Sequence, residues 1–544
     1  MKKKNILLAP IVLGLAFTLS GCSAIFDYLF PTDTDSGSDA NFDVDKVDVN
    51  GKTIIQQTYK DYSNSSIYNI DYCPTKGDIK LLIIPIWLND SKDYIKESNK
   101  EKVRKDIETA YLGTNSDTGW RSVKTYYEEL SNNALTITGT VSDWYSVNYS
   151  TYQLGTNSSI TETLVTSATD WYFDNNETDK RSNYDSDKNG YIDAVMLIYG
   201  TPDYSAFNND DLDNLWAYCF WLQDKNETTQ PIPNAYFWAS YDFMYSRGSF
   251  LRPTPAGSEY GSGDTSHCNI DAHTYIHEMG HIFGLDDYYD YSTAKYVPAG
   301  GFSMQEYNIG GHDPYSTMAL GWANPYVVTA NSKVSIGTFQ KTRDIVLISS
   351  NWNGGGSPFD EYFLLELFSP TGLNEHDCNY LYSDTFKGPN KVGIRLWHVD
   401  ARLAYCDKIV SQPGDDGVYR DYPVFSPNKL TVNAKDSRAT YGISHAFSNT
   451  YNNEEYGSVL GSDYYDYNIL QLIRRSTSVT TRTKNTIESS DLFTDGTYSI
   501  SKYYRQFINQ SPFKMNDGSF ASWNLKISIS GSGHDATATI EIVK

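Results

Sequence analysis

The chain has 544 residues, a formal net charge of -23 and six cysteines. Acidity on this scale excludes nucleic acid as a partner, because phosphate binding needs clustered cations, and cysteines this sparse exclude a disulfide-built scaffold. A chain of this length can bury more than one hydrophobic core.

Lys2, Lys3 and Lys4 precede an apolar stretch from Ile6 to Leu19, short for a membrane span, which ends in Leu19-Ser20-Gly21-Cys22. This reads as a bacterial lipoprotein signal. Its likeness to a lipobox implies removal of residues 1–21, lipidation of Cys22 and a protein tethered to the extracellular face of a membrane. Pro31 to Asp48 is rich in Asp, Ser and Thr with few large apolar residues, so it reads as a solvated spacer. Residues 22–76 are assigned to anchor, spacer and a candidate pro-segment. Cys73 raises the question of a thiol that blocks a metal until cleavage, although nothing around it supports one. With Cys22 lipidated five cysteines remain, enough for two disulfides and one free thiol.

A first domain is expected over residues 77–325. Strand-like runs (Lys80 to Trp87, Leu135 to Val141, Ala194 to Tyr199, Tyr236 to Ala239) mix with helical segments (Glu101 to Tyr111, Val123 to Leu130, Ser159 to Asp170). That order predicts an α+β or three-layer domain. Within it, Asp185, Asp187, Asn189, Tyr191 and Asp193 alternate around Gly190, the oxygen-rich spacing that calcium prefers. The loop departs from an EF-hand, since Met196 holds the twelfth position and a strand-like run follows. The competing reading is a polar turn.

The run HEMGHIFGLDD, residues 277–287, carries the chemistry. His277 and His281 are four apart and share one helix face, with Glu278 beside them as a general base for a zinc-bound water. Ala272, Ile276, Met279 and Phe283 form an apolar stripe on the opposite side. Asp271 is a candidate N-cap, and Gly284 is placed to end the helix in a left-handed turn that returns a third ligand. The spacing HExxHxxGxx, then a ligand and a downstream methionine turn, is that of the metzincin proteases. Asp287 holds the ligand position, and Gly301-Phe302-Ser303-Met304 is the candidate methionine turn. Glu306 is the competing third ligand, taken from a later helix, whereas solvation or capping accounts for Asp286 and Asp290.

Residues 326–544 lose the helical signals. Short alternating or apolar runs replace them (Arg343 to Ile348, Tyr362 to Phe368, Gly393 to Val399, Trp523 to Ile529, Ala536 to Val543), which predicts a β-sandwich or two small β modules. His398 reads as a satisfied core residue. His267, His273, His312, His376, His445 and His534 show no partner pattern.

HEMGHIFGLDDYYD resembles the HExxHxxGLPDxYD run of the immune inhibitor A type of secreted metalloproteases, peptidase family M6, with Asp286 in place of the usual Pro. KLLIIPIWLND (Lys80 to Asp90), SVKTYYEELSNNALTITGTVSDWY (Ser122 to Tyr145), GGFSMQEYNIGGHDPYSTMALGW (Gly300 to Trp322), DEYFLLE (Asp360 to Glu366) and GIRLWHVD (Gly393 to Asp400) match other family segments in order. The resemblance spans about residues 78 to 400. It implies a metzincin-like zinc protease domain followed by a β-rich, sandwich-like region. It also implies zinc on His277, His281 and Asp287, Glu278 as the catalytic base, and protein or peptide substrates. Tyr307, three residues past Met304, is the candidate oxyanion donor by analogy with metzincins. Two other classes compete: a surface binding protein on an inactive protease fold, and a zinc amidase or glycan-directed hydrolase. Oligomeric state is not legible in the sequence.

Overall fold

The computed structural model describes residues 40–67, 70–207, 210–245, 268–292, 295–353, 356–382, 386–413, 419–450, 467–507, 514–519 and 521–544. The expected signal, residues 1–21, and Cys22 lie outside the described residues, as does His267. No helix among the described residues is long and apolar enough to cross a membrane.

The first layer system is a mixed sheet in the order Leu135–Val141, Gly77–Trp87, Val195–Tyr199, Ala235–Ser240, Tyr218–Trp221. The first four strands run parallel and the last is an antiparallel edge. Parallel strands need cover on both faces, which is why Gly77–Trp87 reads as a nearly unbroken apolar run. Leu81, Ile83, Met196, Ile198 and Phe237 face one core, shared with the helices Lys100–Leu112, Val123–Leu130 and His273–Ile282. Leu82, Ile84, Val195, Leu197 and Trp238 face the other, covered by the helix Ser158–Asn175 through Leu164, Val165 and Ala168. The strands and helices expected here form close to their predicted bounds, and the edge strand Tyr218–Trp221 is an addition.

The C-terminal region holds two five-stranded sheets and a three-stranded one, ordered Tyr419–Thr431, Leu403–Pro413, Ile443–His445. One five-stranded sheet has the order Pro325–Val328, Ile345–Ile348, Glu361–Phe368, Gly393–Asp400, Leu470–Ile473. The other has the order Val47–Asp48, Ser332–Gly337, Thr537–Val543, Asn524–Ser530, Gly496–Ser499. Val346, Ile348, Phe363, Leu365 and Leu396 pack against Val334, Ile336, Leu525, Ile527 and Ile540 between them. This is a sandwich. Alternate residues of its first sheet, Ile345, Leu347, Tyr362, Leu364, Trp397 and Val399, point the other way into the core of the His273–Ile282 helix. One sheet therefore walls both cores, so the core does not divide at the expected boundary near residue 325.

The N-terminal segment also differs from expectation. Val47–Asp48 pairs parallel with Ser332 and Lys333, and Ile55, Tyr59, Tyr62, Tyr72 and Cys73 are buried in the first core. Their apolar area offsets the entropy of ordering this part, which the sequence left open as a candidate pro-segment. From Val47 onward the described chain is integral to the fold rather than a free spacer. All five cysteines among the described residues are free.

Candidate metal centre

The helix His273–Ile282 starts one residue later than a cap at Asp271 implies, with Ala272 as N-cap. Asp271 accepts the His273 amide at 2.9 Å. The stripe Ala272, Ile276, Met279 and Phe283 faces the core. At the far end Gly284 has φ +111°. Its N–H donates to His281 O at 2.8 Å while Leu285 N–H donates to Gly280 O at 3.0 Å, the paired bonds of a Schellman turn. An added Cβ at Gly284 would lie 2.7 Å from Tyr72 and 2.8 Å from Tyr59. Gly284→Ala is therefore expected to lose about 1–3 kcal/mol of stability. Denaturant unfolding checks this, and a loss within about 0.5 kcal/mol would contradict it.

The turn returns Asp287 to the histidines. His277 Nε2 and His281 Nε2 are 3.1 Å apart, and Asp287 Oδ1 lies 3.0 Å from the first and 3.3 Å from the second. Both rings spend their other nitrogen on a carbonyl. His277 Nδ1 is 2.7 Å from Met304 O, and His281 Nδ1 is 2.7 Å from Leu285 O. A carbonyl only accepts, so each Nδ1 carries a proton, and in the neutral ring each Nε2 then turns a lone pair inward. Asp287 Oδ1 is buried and receives no hydrogen bond. Three acceptors facing one another repel unless a cation joins them. Around a tetrahedral zinc with bonds of about 2.0–2.1 Å, ligand atoms lie about 3.3 Å apart, close to these edges. Tyr291 donates its hydroxyl to Asp287 Oδ2, which orients the carboxylate.

Glu278 is buried, 6 % exposed. Burial pushes its carboxyl up from the ordinary value, against the pull of His277 and His281. Cys219, on the edge strand, donates its thiol to Glu278 O at 2.9 Å and lies 3.5 Å from Glu278 Oε2. Met304 opens the short helix Met304–Tyr307 and is fully buried. The next residue, Gln305, fits against the metal helix because position 280 is Gly: a Cβ there would lie 2.5 Å from Gln305 Oε1.

Glu306 is not part of this triangle. It accepts the amides of Ala299, at 3.1 Å, and Gly301, so it braces the loop before Met304. Burial pushes its carboxyl up to about 8, opposed by those amides. Tyr307 packs half-buried against the core with Glu306 as its charged neighbour. The phenols beside Asp287 are Tyr291 and Tyr289. Cys73 donates its amide to Ile282 O at 2.9 Å, and its charged neighbours are Asp193, Lys60, Asp71 and Asp187. It is not among the residues of the triangle.

A second group of metal-ligand type is His273, His376 and Asp377, also buried. His273 Nδ1 lies 2.8 Å from Asp271 Oδ1 and its Nε2 lies 3.1 Å from Asp377 Oδ1. His376 Nδ1 is 2.8 Å from Asp377 Oδ1, and Cys268 Sγ is 3.2 Å from His376 Nε2. Here protons complete every contact. Burial alone would lower the His273 imidazole, but Asp377 and Asp271 hold it up at about 10, so a charged His273 bridges two carboxylates. The network ties the start of the metal helix to the segment Glu375–Asn379. His398 is likewise paired, its Nε2 2.9 Å from Glu361 Oε1.

In the Asp185–Asp193 loop Gly190 takes φ +93°, and the carboxylates bind loop amides. Asp185 accepts from Asn189 N at 3.0 Å and Gly190 N at 3.1 Å, and Asp193 accepts from Ser186 N at 3.2 Å. Tyr191 N–H donates to Asn189 Oδ1 at 2.9 Å. Lys60 Nζ approaches Asp187 Oδ2 at 2.9 Å and Asp71 Oδ1 at 2.5 Å. Among the described residues only the two histidine groups bring three such ligand atoms within 4.8 Å of one another, so the loop carboxylates do not converge in that way.

Sequence reasoning missed Cys219, Tyr291 and the Cys268–His376–Asp377–His273 network. Tyr291, four residues after Asp287, was the one with a local signal.

A family model described as immune inhibitor A peptidase M6, catalytic domain, matches residues 88–243. The match begins at the end of the Gly77–Trp87 strand, runs through the Ala235–Ser240 strand and stops before the metal helix. Residues 88–243 are thus similar to the M6 catalytic domain, which supports a metallopeptidase acting on protein or peptide substrates. A search of curated proteins found none that matches.

Proposed function

We propose that this M6 peptidase is a zinc-dependent endopeptidase with a metzincin-like catalytic domain, hydrolysing extracellular proteins from a lipid anchor at Cys22. The observation that carries the catalytic part is the triangle of His277 Nε2, His281 Nε2 and Asp287 Oδ1, with edges of 3.0–3.3 Å. Two imidazoles and a carboxylate suit zinc and leave a fourth position for water or substrate. Zinc bound there supplies a Lewis acid that polarises the scissile carbonyl and eases deprotonation of the attacking water.

Glu278 accepts that water proton and passes it to the leaving amine. Its burial favours a carboxylate ready to hold a proton, against the pull of the histidines and of the Cys219 thiol that donates to it. The oxyanion donor in this reading moves from Tyr307 to Tyr289, which stands beside Asp287, while Tyr291 gives its hydroxyl proton to Asp287. Support for the anchor is the Lys2 to Cys22 pattern. Support for calcium at Asp185, Asp187, Asn189, Tyr191 and Asp193 is their alternation, together with an Asp193 carboxyl that burial pushes up to about 7, a cost that a divalent cation would relieve.

Digestion of casein by the purified chain, with and without a zinc chelator, tests the class. Cleavage that the chelator stops supports the peptidase. Silence with zinc bound refutes it and favours the inactive binding protein or the amidase or glycan-directed reading.

A further inference from the structure

Past the Schellman turn, the chain that carries Asp287 belongs to no helix or strand, yet both neighbours of Asp287 are held by one distant segment. On one side Asp286 Oδ2 lies 2.7 Å from His445 Nδ1. On the other side Asn449 Nδ2 donates to Tyr288 O at 3.1 Å.

The segment is itself anchored. Asn449 Oδ1 accepts Leu470 N at 3.1 Å, and Asn449 O accepts the Tyr296 hydroxyl at 2.6 Å. His445 ends the strand Ile443–His445, which pairs with Leu403 to Tyr405. Its ring stacks on Tyr59, with centroids 5.7 Å apart, and meets Tyr62 edge-on at 4.5 Å. The same loop is fixed further along, where Leu472 N–H donates to Pro298 O at 2.9 Å.

We infer that His445 and Asn449 are positioning residues of the metal centre: the C-terminal β region sets the place of the Asp287 carboxylate by gripping the residues before and after it. This rests on Asp287 being a metal ligand. Partners behind a ligand govern its orientation, and their loss typically weakens metal binding about 10- to 100-fold. The β region is then part of the centre rather than an appended module.

Zinc affinity of the purified full chain, measured by competition with a chromogenic chelator, tests this. His445→Ala and Asn449→Ala are each expected to weaken zinc binding about 10- to 100-fold while the circular dichroism spectrum is unchanged. His445→Asn, which keeps a polar nitrogen near the Nδ1 position, 2.7 Å from Asp286 Oδ2 in the parent, is expected to recover most of the affinity, which a generally loosened fold would not do. If His445→Ala misfolds, Asp286→Ala breaks the same contact from the loop side. Affinities for both alanine variants within about twofold of the parent, about 0.4 kcal/mol, overturn the inference, as does full zinc binding by Asp287→Ala. Casein cleavage is read on the same samples. Zinc held through Asp287 without any cleavage sinks the peptidase reading and leaves the positioning result to be judged on affinity alone.

Discussion

Glu278→Gln is expected to lower casein cleavage by about 100- to 10,000-fold while the protein keeps its zinc. The amide matches the carboxylate in size, and it replaces a group that is 6 % exposed, so packing is preserved. It cannot accept a proton from the attacking water. The helix geometry depends on other contacts: His277 is held by Met304 O and His281 by Leu285 O. The expected pattern is thus lost turnover at unchanged metal content, read by mass-spectrometric zinc analysis beside the cleavage assay. Turnover at the parent rate would refute the base role. Loss of zinc together with activity would show that the side chain supports the ligands instead.

Asp287→Ala is expected to abolish both zinc retention and cleavage. The carboxylate is the third corner of the triangle, and removing it leaves two lone pairs 3.1 Å apart with no anion to complete the donor set. Glu306→Gln is the matching control, since Glu306 braces Ala299 and Gly301 rather than the histidines. Zinc content should fall in the first variant and stay at the parent level in the second. The reverse pattern would return the third-ligand role to Glu306.

The metal run was legible because its geometry is local. His277 and His281 share a face by helical spacing alone, and Gly284 supplies the left-handed turn that brings Asp287 back within a few residues. The layers around it were legible for a similar reason, since period-two and period-3.6 patterns report which face is buried. What escaped depends on chain segments far apart in sequence. Cys219 reaches Glu278 from an edge strand 59 residues upstream. Asp377 meets His273 across 104 residues, so neither histidine of that network showed a partner. His445 and Asn449 lie in a region whose strands predicted a sandwich but no tie to the metal loop. In the N-terminal segment Tyr59, Tyr62 and Tyr72 are too widely spaced to show a pattern, yet they pack together around His445 and beneath Gly284.

The most direct test of a zinc peptidase built on this run is reconstitution. Zinc is removed from the purified chain with a chelator, the chelator is washed out, and casein cleavage is followed as zinc is added back. The triangle predicts no cleavage by the metal-free chain and a rise that saturates once the site formed by His277, His281 and Asp287 is filled. Cleavage at the full rate without metal, or zinc bound at that site with no cleavage at all, would contradict it.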